Sequence, residues 1–459
     1  MRKGMIALCA LLAASALVFA SGANEQSKPS TIDVTFWTAP NQGQFNFWDA
    51  KIQEFNAAGV QLDGKTIKVT AQMMPETPSS EAGIQNALAT NTAPVVSENI
   101  NRGFAATLAQ SGRVYDLQDE QFFKDIIAAR HMENIISGWQ IDGKQYVIPI
   151  FANPMGYHWN SKALRALGFS DRVPQTLDDI KLLVKNFRAL KDTKMKEIGV
   201  THTFQRSQLL RPDLWWERWF DFEMQYDAFS QGKPMVVSGK LVMDPSITKD
   251  VLEFIGLFGD TMQTAEDNTA FEKEVVPAVF QISAPWDVPK YEAAGKVYGI
   301  DGDYVFGPAI VKQQGDVPYT FADSKGLVFY KGGNVTEEQH RAAVTFISWV
   351  WGKENNAQTD LDWYKTTGML PVRGDTMDNP VLAQYIGQKQ VLQDEAEMVK
   401  NSIPAMADAH ISEILTAMGE GGLSQYVSDS TKNTSLVPLD ATTYVQGMME
   451  AMKTAGSLQ

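Results

Sequence analysis

Gly143-Lys144-Gln145-Tyr146-Val147-Ile148-Pro149, then Asn153-Pro154-Met155-Gly156-Tyr157-His158-Trp159-Asn160, then Val173-Pro174-Gln175-Thr176-Leu177-Asp178-Asp179-Ile180 follow one another along the chain. The first piece reads as a hairpin turn. The second reads as a strand that leaves one folded unit for another. The third is the start of a helix: Thr176 can cap it, Asp179 stands at the reciprocal position, and Ile180, Leu183, Val184, Phe187 and Leu190 recur at helical spacing.

Upstream, Ile32 to Trp37 alternates as a strand and runs into the polar turn Thr38 to Gly43. A helix pattern follows at Phe47, Trp48, Ile52 and Phe55, which makes a β-α unit. Ile67 to Gln72 predicts a strand, Glu81 to Ala89 a helix, and Ala93 to Val96 a short buried strand, an alternation that signals an α/β lobe with a largely parallel sheet. Downstream, Thr248 to Phe258 predicts a helix, and Val297 to Ile300 and Leu327 to Tyr330 predict strands. Thr336 with Gln339 repeats the capping pattern ahead of Ala343, Ile347, Val350 and Trp351. At 459 residues and 44% hydrophobic content the chain exceeds one core, since single cores stop growing near ~250–300 residues. The expected lobes are residues 31–149 with 326–354, and 150–325 with 355–459.

Arg2 and Lys3, an apolar run over residues 5–20 and small residues near position 23 read as a secretory signal over residues 1–23 rather than a membrane span. Cys9 lies inside that signal and leaves with it, so free export to a periplasm is favoured over a lipid anchor, and disulfides contribute nothing. A net charge of −14 argues against nucleic acid and anionic lipid as partners. The five His lack zinc-ligand spacing, and no G-x-S-x-G elbow, P-loop or G-x-G-x-x-G after a strand occurs. Neither a metal nor a cofactor is expected, and no catalytic residue is assigned.

The three opening segments, in this order and spacing, resemble the G-K-x-Y-x-[IL]-P, [YW]-N and P-x-T-[WL]-[DE]-[DE] pattern of extracellular solute-binding proteins of carbohydrate-uptake ABC transporters, the maltose-binding-protein-like class. The resemblance extends from Ile32 to about Leu423. It implies a two-lobed periplasmic-binding-protein fold (type II), each lobe a mixed sheet flanked by helices, with several interlobe crossings and the solute in the cleft. It also implies a carbohydrate ligand, permease subunits of the inner membrane as partners, and a monomer. Phe36 to Gln42 fall where the family presents polar contacts. Pro94 to Arg102 resemble its P-D-[IV]-[IV] strand and cleft loop, with Val95 in place of Asp, and Asn153 matches a cleft-facing position. Ile282-Ser283-Ala284-Pro285-Trp286 resembles x-x-G-P-W, whose Trp stacks on sugar. Gly368 to Arg373 resembles G-x-[IL]-P-[VA]-R, and Ile403 to Met406 matches the opening of a late helix near the cleft, which brings in Asp408 and His410.

Sugars offer C–H faces to flat aromatic rings and hydroxyl edges to amides, carboxylates and guanidinium groups. Trp37, Trp216 and Trp286 are therefore the candidate stacking rings, while Trp349, Trp351 and Trp363 fit a core. Asn41, Gln42, Asn101 and Asn153 form a neutral amide set that suits uncharged hydroxyls without burying net charge. Glu98, Arg102, Asp287, Arg373, Asp408 and His410 complete the candidates. Glu98 and Arg102 could also pair with each other, and Arg373 could fasten its turn. A phosphate ester on Arg102 and Arg373, or a glycosidase built on Asp287 or Glu98, are the alternatives to a neutral sugar.

Overall fold

The computed structural model describes residues 31–75, 79–205, 215–263, 278–352 and 354–459; the signal segment lies outside them. Two mixed sheets, each backed by helices, form two lobes with separate cores. In the first, Thr31–Thr38 is the parallel partner of both Lys65–Met73 and Val96–Ile100. The parallel order ends there. Thr320–Phe329 arrives from far along the chain and lies antiparallel between Val96–Ile100 and Ile148–Pro154, so the sheet is mixed rather than largely parallel. Its inner face is an aromatic stack: Phe36 and Trp48 have ring centres 4.4 Å apart, and Phe346 and Trp351 close on Trp48 from the capped helix Glu337–Val350 and the residue after it.

The second sheet joins Met262–Gln263, His202–Gln205, Ala278–Ser283, Gly156–Asn160 and Tyr304–Gly307. Phe280 stacks on Trp159 at 4.3 Å and on Phe204 at 4.7 Å, which anchors the sheet under helices Leu177–Leu190 and Pro245–Gly256. Thr176 and Asp179 form the reciprocal cap of the first of these, as do Thr336 and Gln339 in the other lobe.

Four further expectations change. The short strand expected at Ala93 to Val96 begins only at Val96 and runs to Ile100. Val297 to Ile300 is not a strand: Gly299 N donates to Tyr304 O and Gly302 N to Gly299 O, closing a turn, and the strand begins at Tyr304. Trp349 is 36% exposed, resting edge-on against Phe55 at the sheet's outer rim, whereas Trp351 and Trp363 are buried. Residues 404–409 are not helical; the helix starts at Ile411, after the Asp408 side chain has turned the chain by accepting from His410 N at 2.9 Å.

The lobes are stitched by paired strands. Ala152 belongs to the first core and Met155 to the second; across the ladder Ala322 belongs to the first and Phe321 to the second, and Ala322 pairs with Pro154. Both strands thus change lobe at the same level. A third passage lies alongside them, Ala152 N donating to Leu370 O and Val372 N to Ile150 O, each at 2.9 Å. Helix Asn356–Thr367 bridges as well, with Trp363 in the first core and Leu361 and Tyr364 in a third cluster with Tyr291, Tyr304 and Leu392.

Beside these crossings lies a charge knot whose centre, Arg130, Asp360 and Arg373, is fully buried. Arg130 donates Nε and Nη2 to Asp360 at 3.0 and 3.1 Å, and its Nη1 and Nη2 also reach the carbonyls of Pro149 and Ile150. Asp360 also accepts from Arg373 Nη1 at 2.9 Å and Trp351 Nε1 at 3.0 Å. Two guanidinium groups on one carboxylate would leave excess charge, and Asp375 balances it by accepting from Arg373 Nε and Nη2 at 2.8 and 3.0 Å.

Candidate functional site

The turn Thr366 to Leu370 gathers residues from both lobes. A Cβ on Gly43, beside Asn41 and Gln42, would stand 2.9 Å from Thr366 O. One on Gly368 would stand 3.3 Å from the Pro289 ring and 3.9 Å from Trp286 Cα. A side chain at Gly43 would collide with the Thr366 carbonyl, and Gly368, at φ +73°, holds a backbone conformation that favours glycine. Two residues on, Leu370 N donates to Asn153 Oδ1 at 3.1 Å from the neighbouring crossing strand. Asn41, Asn153 and Trp286 therefore lie around one turn at the lobe junction, with Gln42 and Asp287 next to them in sequence.

Their engagements differ. Asn41 is exposed and caps helix Gln42–Ala58, accepting from Gln44 N at 3.1 Å, while the exposed Gln42 donates to Asn46 at 2.7 Å. Asn153 is fully buried, and its Nδ2 has no hydrogen-bond partner among the described residues. Asp287 is held by Ser283 Oγ and Lys290 Nζ, both at 2.6 Å.

Aromatic rings continue from this junction into the second lobe. Half-buried Trp286 meets Phe220 at 6.1 Å, and Phe220 meets Phe321, on the crossing strand, at 6.4 Å. Trp219 stacks on Phe321 at 5.0 Å, Trp215 on the edge of Trp219 at 5.2 Å, and Trp216 adjoins Trp215 at 6.0 Å. The row is buried in its middle and open at Trp216, which is 40% exposed. Trp37, by contrast, is 8% exposed and packs in the first core.

Glu98 is wholly buried at the end of the first sheet. Its Oε1 accepts from Ala39 N at 2.6 Å and its Oε2 from Gln44 Nε2 at 2.9 Å, so it fastens the loop that carries Asn41. It does not pair with Arg102. Burial pushes its carboxyl up to about 7, against the pull of both donors and of Lys325 on the crossing strand. A folded-state value above the unfolded one means the native protein holds this proton more tightly. The stabilisation is complete below pH ~4.5 and lost as pH rises through about 7. Glu98→Gln is expected to flatten this decline by about 1–3 kcal/mol, measured as the difference in denaturant unfolding free energy between pH 5 and pH 8; an unaltered difference would discard it.

Asn101 caps helix Arg102–Gln110, accepting from Phe104 N at 2.8 Å. Arg102 Nε and Nη2 both donate to Gln140 O, at 3.0 and 2.7 Å, and burial lowers its guanidinium to about 10. Asp408 and His410 flank Ala409, whose carbonyl accepts from Thr107 on that helix at 3.0 Å, which links the first lobe to the segment entering Ile411–Met418. Arg373 spends Nε, Nη1 and Nη2 on Asn356, Asp360 and Asp375. Among the described residues no group of three or more His, Cys, Asp or Glu could hold a metal ion.

Two buried carboxylates, Glu223 and Asp227, face an interlobe cavity and were missed by sequence reasoning. The signal was there: Asp221, Glu223 and Asp227 punctuate a largely apolar and aromatic run from Trp219 to Phe229, in which Gln225 is the other polar residue. Phe220 and Phe321 were missed because aromatic residues beside apolar neighbours read as core.

Residues 50–390 match the bacterial extracellular solute-binding proteins, and the chain belongs to that family. It is similar to an uncharacterized protein from Listeria monocytogenes EGD-e at 29% identity, with a TM-score of 0.77 over 93% of this chain and 98% of that one. The cyclic alpha-maltosyl-1,6-maltose binding protein of Arthrobacter globiformis shares the fold at 16% identity and a TM-score of 0.70, over 93% of this chain and 99% of that one. UgpB of Mycobacterium tuberculosis, in complex with glycerophosphocholine, does so at 14% and 0.67, over 94% and 98%. There is no match among curated proteins.

Proposed function

We propose that this chain is the exported receptor of an ABC importer, that it holds a neutral sugar or oligosaccharide between its lobes, and that it hands the sugar to membrane permease subunits. The observation that carries this reading is the row of rings from Trp216 to Trp286, next to the amides Asn41, Gln42 and Asn153. Rings take the C–H faces of a pyranose, and uncharged amides take its hydroxyls without burying charge. A solute touching both walls stabilises the arrangement in which they approach, so binding and lobe closure are one equilibrium, with strand ladders at the crossing as the hinge. Trp216, Trp286, Asn41, Gln42 and Asn153 are the proposed contacts. Glu98 and Asn101 shape the first-lobe wall, and Arg373 fastens the hinge. Binding proceeds without turnover: Asp287 and Glu98 are each tied to local donors and form no acid–base pair.

A phosphate ester is the second reading, favoured by Arg102 at the cavity wall and by the glycerophosphocholine complex of the UgpB neighbour. The nearby carboxylates Asp142, Glu223 and Asp227 oppose an anion there. Thermal unfolding of the chain, stripped of copurified solute and challenged with mono- and oligosaccharides, polyols and sugar phosphates, decides. A ligand at 100 times its Kd adds about 2.7 kcal/mol and raises Tm by roughly 3–7 °C. A rise with neutral sugars is expected; a rise with phosphates alone would reverse the assignment.

A further inference from the structure

The cavity bounded by Arg102, Asp142, Glu223, Asp227 and the segment from Ser402 to Ala407 has a volume of about 510 Å³ and lies between the lobes. Its titratable lining is Arg102 and Asp142 on one wall, Glu223 and Asp227 on the other. Asp227 follows Glu223 by four residues, so the two share a face of one helical segment. They are 4% and 3% exposed, and Glu223 Oε2 and Asp227 Oδ2 have no hydrogen-bond partner among the described residues.

Among the described residues, neighbouring charges do not supply the missing counter-ion. Arg102 is turned onto the Gln140 carbonyl and faces Asp142 on its own wall. Arg218 is paired with Asp221 at 2.9 Å. Asp244 adds negative charge near Tyr226, the residue preceding Asp227. Burial lifts Glu223 to about 8, and burial with the charge of Glu223 holds Asp227 well above the ordinary carboxylate range, so near neutrality the pair retains a proton.

We infer that this cavity is a subsite for a protonated amino group on the solute, which Glu223 and Asp227, buried with unsatisfied oxygens on the cavity wall, bind as a pair. The inference rests on the receptor reading above and adds a substrate class to it, amine-bearing sugars. Hydroxyls alone would be met at lower desolvation cost by amides such as Asn41 and Gln42; two buried carboxylates with unsatisfied oxygens match a group that brings both N–H donors and a positive charge. One ammonium enters, one proton leaves, and both carboxylates end ionised.

The test is calorimetric titration of the full chain with the β-1,4 glucosamine trimer and with cellotriose, its hydroxyl counterpart, at pH 5.5, where the amines are charged in solution, in two buffers of different ionisation enthalpy. The amine trimer is expected to bind at least tenfold tighter than cellotriose and to release close to one proton. Glu223→Gln combined with Asp227→Asn should remove both the preference and the release, and the single Asp227→Asn should weaken them. The double variant should melt no lower than the parent at pH 8, because it lacks the buried charges. The proton release of the unaltered chain stands as a readout should that variant fold poorly. Equal or weaker binding of the amine, or a preference that survives the double substitution, overturns the inference. Binding of neutral sugars without the amine leaves the receptor reading intact and removes only this subsite; no binding of any sugar removes both.

Discussion

Asp360→Ala is expected to lower the unfolding free energy by about 3–5 kcal/mol, the range for stripping one partner from a buried ion pair. The carboxylate is 1% exposed and serves four donor atoms on three residues: Arg130 Nε and Nη2, Arg373 Nη1 and Trp351 Nε1. Arg373 keeps Asp375 after the substitution, but Arg130 keeps only the carbonyls of Pro149 and Ile150, so its charge is left buried without a counter-charge in contact. Tm should fall by roughly 6–20 °C, at 2–4 °C per kcal/mol for a unit of lobe size. Asp362→Ala, two residues away, is the comparison. Asp362 is 37% exposed in its pair with Lys51, and its loss should cost under about 1 kcal/mol. Denaturant unfolding of both variants measures this, and equal effects would mean that Asp360 is not the centre of the knot.

Trp286→Ala should weaken binding of whichever sugar shifts the melting point by about 30- to 100-fold, the loss expected when a central aromatic anchor is truncated. Tm of the unliganded protein should move little, because the ring is half-buried at the rim of the second core rather than inside it. Trp216→Ala, at the open end of the same row, should cost less if the ligand contacts only the Trp286 end and as much if it also reaches the exposed Trp216. Titration calorimetry distinguishes these outcomes. An unchanged Kd in both variants would take the aromatic row out of the site.

Legibility in the sequence followed how local each feature's cause is. The caps of Thr176 and Thr336 are built from residues three apart, and both formed as their spacing predicts. The crossing strand expected at Asn153 to Asn160 forms over Gly156–Asn160, whereas the strand Ile148–Pro154 before it begins inside the piece read as a hairpin turn. Glu98 and Arg373 are different: their surroundings are made by Gln44 and Asp360, distant in sequence or on another element, and no spacing reveals that their charges are already spent within the chain. Trp349 looked like core since its neighbours are apolar, yet its position on the helix turns it to the rim. Glu223 and Asp227 were passed over for the opposite reason: acidic residues on a helix are usually solvated, and only the packing of both lobes buries these.

The strand Thr320–Phe329 sits between Val96–Ile100 and Ile148–Pro154, and Phe346 closes the ring stack over Phe36. While the chain is being made from its N-terminus, the first lobe therefore has an open seam and an uncovered core until some two hundred residues after its own early strands have appeared. Such long-range closure is slow, and a chain that stays unclosed remains threadable. The first lobe therefore cannot finish folding until most of the chain has been made.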